Sequence, residues 1–160
     1  MKRILLILLV SIGCFQWSSA QNQKSKMVGV WQVGTSQLAD AWLANYRFFK
    51  DGTFKYTFSQ YDDRGRILSA VGNYKLKGDT LYLIVKARKE RVGGDLVGGS
   101  AGFQQEELVL DGDKLINIKQ KVIRPLPFLI KWINKKGIKG FEIQNNTYYL
   151  VSTDPHKDEE

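Results

Sequence analysis

Residues 68–85 read Leu68-Ser69-Ala70-Val71-Gly72-Asn73-Tyr74-Lys75-Leu76-Lys77-Gly78-Asp79-Thr80-Leu81-Tyr82-Leu83-Ile84-Val85, and their spacing decides the fold. Leu68, Ala70, Gly72, Tyr74 and Leu76 alternate with Ser69, Asn73, Lys75 and Lys77, the period of two that sends successive side chains to opposite faces of a strand. Gly78-Asp79 turns the chain, and Leu81, Leu83 and Val85 resume the apolar row. Tyr82 and Ile84 lie between them, so this strand is expected to be covered on both faces.

The same grammar extends in both directions. Upstream, Asn45 to Lys50 and Thr53 to Gln60 flank Asp51-Gly52, a pair that tolerates the positive φ of a tight hairpin. Phe54, Tyr56 and Phe58 share one face there, opposite Lys55, Thr57 and Ser59. Asp62-Asp63-Arg64-Gly65 makes the next turn. Downstream come a strand from Gln104 to Leu110, the turn Asp111-Gly112-Asp113, a strand from Lys114 to Val122, and a last pair, Ile138 to Gln144 and Thr147 to Ser152. With Met27 to Val33 at the start, these make about eight to ten short strands. A meander of that size leaves two open edges, and closing it removes both. The expected fold is all-β: an antiparallel up-and-down meander closed into a barrel, with one or two short helices.

Two stretches read as helices. Thr35 to Ala44 has a Thr or Ser cap and places Leu38, Ala41 and Trp42 on one side. Leu126 to Lys136 opens beside Pro125 and Pro127, puts Leu126, Leu129, Ile130 and Ile133 on one face, and stops at Gly137. Lys131, Lys135 and Lys136 would then face water or an anionic membrane.

The amino terminus carries a different signal. Lys2-Arg3, an apolar run from Ile4 to Val10 and the small residues Ser18-Ser19-Ala20 read as a signal peptide spanning 1–20, with cleavage after Ala20. The apolar run falls short of the ~20 residues of a membrane span. Ser11-Ile12-Gly13-Cys14 resembles a bacterial lipobox and offers lipid attachment at Cys14 as the alternative. An exported location, periplasmic or extracellular, is expected either way. Residues 21–153 would form the domain and 154–160 a disordered, charged tail. Losing Lys2 and Arg3 lowers the formal charge from +8 to +6, which suits solubility and is compatible with anionic partners.

Gly29-Val30-Trp31 matches the Gly-x-Trp that opens lipocalins. Phe49-Lys50-Asp51-Gly52-Thr53-Phe54 and the run Gly72 to Leu81 resemble the small secreted lipocalin-like domains of bacteria, over roughly residues 27–151. The resemblance implies a barrel whose Trp31 closes one end while the other admits a small apolar or amphipathic molecule. Lipocalins commonly lay an Arg from the last strand over that Trp; residues 138–152 contain none, and Lys139 is the substitute.

Chemistry is sparse. Cys14 is the single cysteine and His156 the single histidine, so thiolate metal sites and His-activated nucleophiles find no residues in residues 21–153. No metal site, cofactor or catalytic set is expected, and the chain does not read as an enzyme. Parity places Gln104 and Glu106 on the inward face with Leu108. A buried Glu106 would hold its proton and act as an acid or ligand anchor, whereas a solvated one would do neither. Gly93-Gly94 and Gly98-Gly99 lie in a connection, Val92 to Gly102, long enough for a lid but without the Lys and Ser/Thr of a phosphate loop. The aromatic row lacks the basic stripe of a nucleic-acid binder. The expected ligand-lining residues are Phe54, Tyr56, Phe58, Leu68, Ala70, Tyr74, Leu83, Glu106 and Leu108, with Trp31 at the closed end and Ala70 and Gly72 leaving space between aromatics.

Overall fold

The computed structural model describes residues 26–36, 43–59, 65–98 and 108–157. Strands β1 (Gly29–Val33), β2 (Asn45–Phe48), β3 (Thr53–Thr57), β4 (Ile67–Lys77) and β5 (Thr80–Val92) pair consecutively as an antiparallel meander. β6 (Asp95–Gly98) and β7 (Leu108–Asp111) pair with each other in a separate two-stranded sheet. β8 (Lys114–Lys119) and β9 (Leu126–Leu129) lie one after the other along β5, opposite Ala87–Val92 and Thr80–Leu83 respectively. β10 (Lys131–Lys135), β11 (Ile138–Ile143) and β12 (Asn146–Ser152) add two hairpins, and β12 returns to pair with β1. The main sheet therefore has ten strands, all antiparallel, and its hydrogen-bonded path runs from β10 to β8 without closing on itself. Ile130 alone separates β9, which pairs with β5, from β10 at the opposite end of that path.

The turns follow the residues that favour them. Gly52, Gly78 and Gly112 take positive φ where Asp-Gly and Gly-Asp pairs bend the chain. At the first of these, the Asp51 carboxylate accepts from the Thr53 amide (2.8 Å) and hydroxyl (2.7 Å), which fixes the register of β2 against β3.

The helix expected over Leu126 to Lys136 is instead β9 and β10. Its apolar residues fit both periods, since Phe128, Ile130 and Trp132 also alternate. Pro127 would break a helix interior yet sits on a strand, and Lys136-Gly137 (φ 53° and 81°) form the hairpin turn rather than a helix stop. Most of the helix expected over Thr35 to Ala44 lies outside the described residues; Val33 donates to the Ala44 carbonyl (3.0 Å), so the two ends of that connection are adjacent. Among the described residues, helical backbone is confined to Lys26 and Met27. The glycine-containing connection from Val92 is partly β6 and not wholly a loop.

One face of the main sheet collects the core. Trp31, Phe48, Phe141, Met27 and Leu81 are fully buried, joined by Tyr46, Phe54, Tyr74, Leu83, Ile130, Ile143 and Tyr148. The rings interlock at centroid separations from 4.3 Å (Tyr46 and Tyr56) to 6.4 Å (Phe48 and Phe54), within the range where offset and edge contacts add to burial. Trp31 Nε1–H donates to the Met27 carbonyl at 2.7 Å, tying the segment before β1 across the end of the cluster. Lys139, the expected cation over Trp31, is exposed; the cation–π contact in this region is instead Lys26 Nζ, 3.8 Å from the ring of Trp132, whose edge meets Trp31.

Gly72 does not leave cavity space. A Cβ there would stand 1.9 Å from the Ile84 carbonyl oxygen, so the missing side chain is filled by the neighbouring strand's backbone. The register shifts at this point, Gly72 facing Val85 while Val71 faces Ala87, and Lys86 is the extra residue. Such a bulge bends and twists the strand that carries it.

Three core tyrosines resist ionisation. Burial raises Tyr46, with the nearby Tyr56 adding to it; burial also raises Tyr148, through its hydrogen bond to Tyr56 as well. Tyr74, whose hydroxyl donates to the Phe49 carbonyl, is pushed up to about 12 by burial and by Asp51. The folded state thus holds these protons more tightly than the unfolded chain. Their contribution is intact below pH ~10 and is lost as pH rises from there through the folded value. Urea midpoints measured against pH are expected to fall between pH 10 and about 12. Ionisation of Tyr46, Tyr74 or Tyr148 at pH ~10 in the folded protein, read from site-resolved NMR shifts, would contradict this.

Candidate functional site

Directly opposed residues of an antiparallel pair share a face. Tyr56 opposes Ala70, Ala70 opposes Arg88, and Arg88 opposes Ile118, so these four form a row across β3, β4, β5 and β8. The row lies on the core side, because the Tyr56 ring packs on Tyr46 and its hydroxyl meets that of Tyr148 at 3.2 Å. One step farther along the strands, Glu90 opposes Ile116, and the Phe58 amide donates to the Leu68 carbonyl (3.0 Å).

Burial changes along this face. Phe54, Tyr74 and Leu83 are buried, whereas Tyr56, Leu68, Ala70 and Val85 are half-buried and Phe58 is exposed. The packed aromatic cluster thus gives way to a partly open apolar surface. An ion pair stands on it: the Arg88 guanidinium contacts the Glu90 carboxylate, and the Glu90 side chain is only 14% exposed. The extra residue at Lys86 makes this possible. It shifts parity, so the apolar positions 81, 83 and 85 are followed on the same face by the charged positions 88 and 90.

The structure brings together most of the expected lining. Trp31, Phe54, Tyr74 and Leu83 belong to the filled cluster, and Tyr56, Phe58, Leu68 and Ala70 to the open part. Leu108 lies on β7, which pairs with β6 in the two-stranded sheet, so its backbone is not part of the main-sheet ladder. Glu106 lies outside the described residues. Sequence parity missed Arg88 and Glu90 because the bulge that redirects them leaves no alternation to read.

The charged tail is held at its start. Asp154–Lys157 make a turn, Pro155 is buried, and Arg47 donates to the Pro155 carbonyl at 3.0 Å. His156 packs on Phe49 with ring centroids 5.0 Å apart. An open groove of about 780 Å³ lies between this turn and the Asp51 hairpin, and a second of about 640 Å³ lies beside Leu129, Trp132 and Gln144. Neither contains the Tyr56 row. No group of three or more His, Cys, Asp or Glu residues placed to hold a metal occurs among the described residues.

The chain matches no family model, no curated protein and no solved structure. Its own geometry is the basis for a functional reading. No helix among the described residues is long and apolar enough to cross a membrane, a statement that does not extend to strands.

Proposed function

We propose that this is an exported lipocalin-like protein that binds one small amphipathic molecule non-covalently on the inner face between Tyr56 and Arg88. The observation that carries this is the change along one face from interlocked rings to half-buried Tyr56, Leu68 and Ala70 with an ion pair beyond them. Apolar walls with a few fixed polar groups are what a small-ligand site requires. In this reading the sheet closes as a barrel through β9 and β10, which sit one residue apart and pair with β5 and β11. Barrels of about eight strands hold side chains or one small ligand. The aromatic cluster is the filled end, and Arg88 with Glu90 orients the ligand's polar group. In this reading Lys2-Arg3, the apolar run from Ile4 to Val10 and Ser18-Ser19-Ala20 act as an export signal, and the protein works outside the cytoplasm.

The test is calorimetric titration with dodecanoate and dodecanol. Saturable binding is expected, weakened at least tenfold in Ala70→Trp, whose indole would cover the half-buried apolar surface beside Tyr56. In Arg88→Gln the loss should be larger for the carboxylate than for the alcohol. Absence of binding by either probe defeats the proposal. The packed cluster favours a second reading, a filled structural module, and that result would support it.

A further inference from the structure

We infer that the rim formed by β8, β9 and the chain between them, where β5 is the one strand paired with either among the described residues, is a docking surface for an anionic phospholipid bilayer. From 114 to 131 the sequence carries Lys114, Lys119, Lys121, Arg124 and Lys131, and no aspartate or glutamate. All five basic residues are exposed. Large apolar side chains stand exposed among them: Val122 at 66%, Ile123 at 52% and Leu129 at 78%, with Leu115 on the strand before, whereas Leu126 and Ile116 oppose Leu83 and Glu90 and belong to the core face. These are not scattered positions. β8 and β9 lie end to end along one edge of β5, and the Gln120 amide donates to the Lys86 carbonyl at 2.8 Å, so the stretch between them starts from that same edge.

Exposed apolar side chains grouped with basic ones along one sheet edge call for an occupant. Charge chooses it. A second copy of the chain would bring five like charges against five, an arrangement that opposes association. A nucleic acid would match the charge but not the aliphatic residues, since binding to single strands uses exposed aromatic platforms, and the one aromatic here, Phe128, is half-buried and packs on the core. An anionic bilayer satisfies both properties: lysine and arginine meet the headgroups while Val122, Ile123 and Leu129 enter the interface. Pro125 and Pro127 suit this edge, because they remove amides that would otherwise recruit another strand.

The test is vesicle flotation of the full chain with phosphatidylcholine alone or mixed with phosphatidylglycerol. Stronger binding to the mixed vesicles is expected, falling with added salt. Lys121→Gln with Arg124→Gln should weaken it roughly thirtyfold, and Val122→Asn with Leu129→Asn should weaken it by a similar factor at unchanged charge. Circular dichroism of each variant checks that the fold is kept. The amino-terminal apolar run is common to all these proteins, so differences among them report the rim. Equal binding by wild type and both variants overturns the inference, as does a dimer that the asparagine variants dissolve or a preference for oligonucleotides over vesicles.

Discussion

Gly72→Ala is expected to destabilise the protein by ~3 kcal/mol or more, at the upper end of what overpacking costs. The added methyl carbon would stand 1.9 Å from the Ile84 carbonyl oxygen and 2.8 Å from its carbon. Both are backbone atoms, so no side chain can swing aside. Relief requires moving β5 away from β4 at the bulge, which breaks ladder bonds that have no other partner. The same movement would carry Arg88 and Glu90 off the core face, so ligand binding should be lost with stability. Urea denaturation gives the stability change; a loss below ~1 kcal/mol would mean that β4 and β5 approach less closely than described.

Trp31→Ala should cost about 3–5 kcal/mol, the range for truncating a buried large aromatic. Trp31 is 2% exposed and meets both Trp132 and Phe141 at ring distance. It also supplies the donor that satisfies the Met27 carbonyl. Trp31→Phe keeps most of the burial and loses that bond, so it should recover most of the stability and remain about 1 kcal/mol below wild type. Equal losses in the two variants would show that the hydrogen bond, and not the packing, fixes this end of the core.

The meander was legible because its signals were redundant. Around Asp51-Gly52 and Gly78-Asp79, strand alternation and turn chemistry agree, and the structure places β2 to β5 there. The carboxyl-terminal hairpins were less so. Leu126, Leu129, Ile130 and Ile133 satisfy a helical period as well as Phe128, Ile130 and Trp132 satisfy a strand period, and pairing with β5 and β11 decided between them. Sequence spacing carries no record of those partners.

The site was half legible for a related reason. Phe54, Tyr56, Phe58, Leu68 and Ala70 follow from strict alternation, and the structure sets Tyr56 opposite Ala70. Arg88 and Glu90 look like ordinary surface charges within Lys86-Ala87-Arg88-Lys89-Glu90-Arg91. One inserted residue reverses which of them face the core, and a bulge is a property of two strands together. The same bulge explains why Gly72, read as spare volume, is occupied by backbone.

The most direct measurement is heteronuclear NMR of the isotope-labelled protein titrated with dodecanoate. Saturable shifts are predicted at Leu68, Ala70, Arg88 and Ile118, with Trp31 and Phe141 unchanged. No saturable shift along that row, or shifts confined to the groove beside Phe49 and His156, would contradict the binding site.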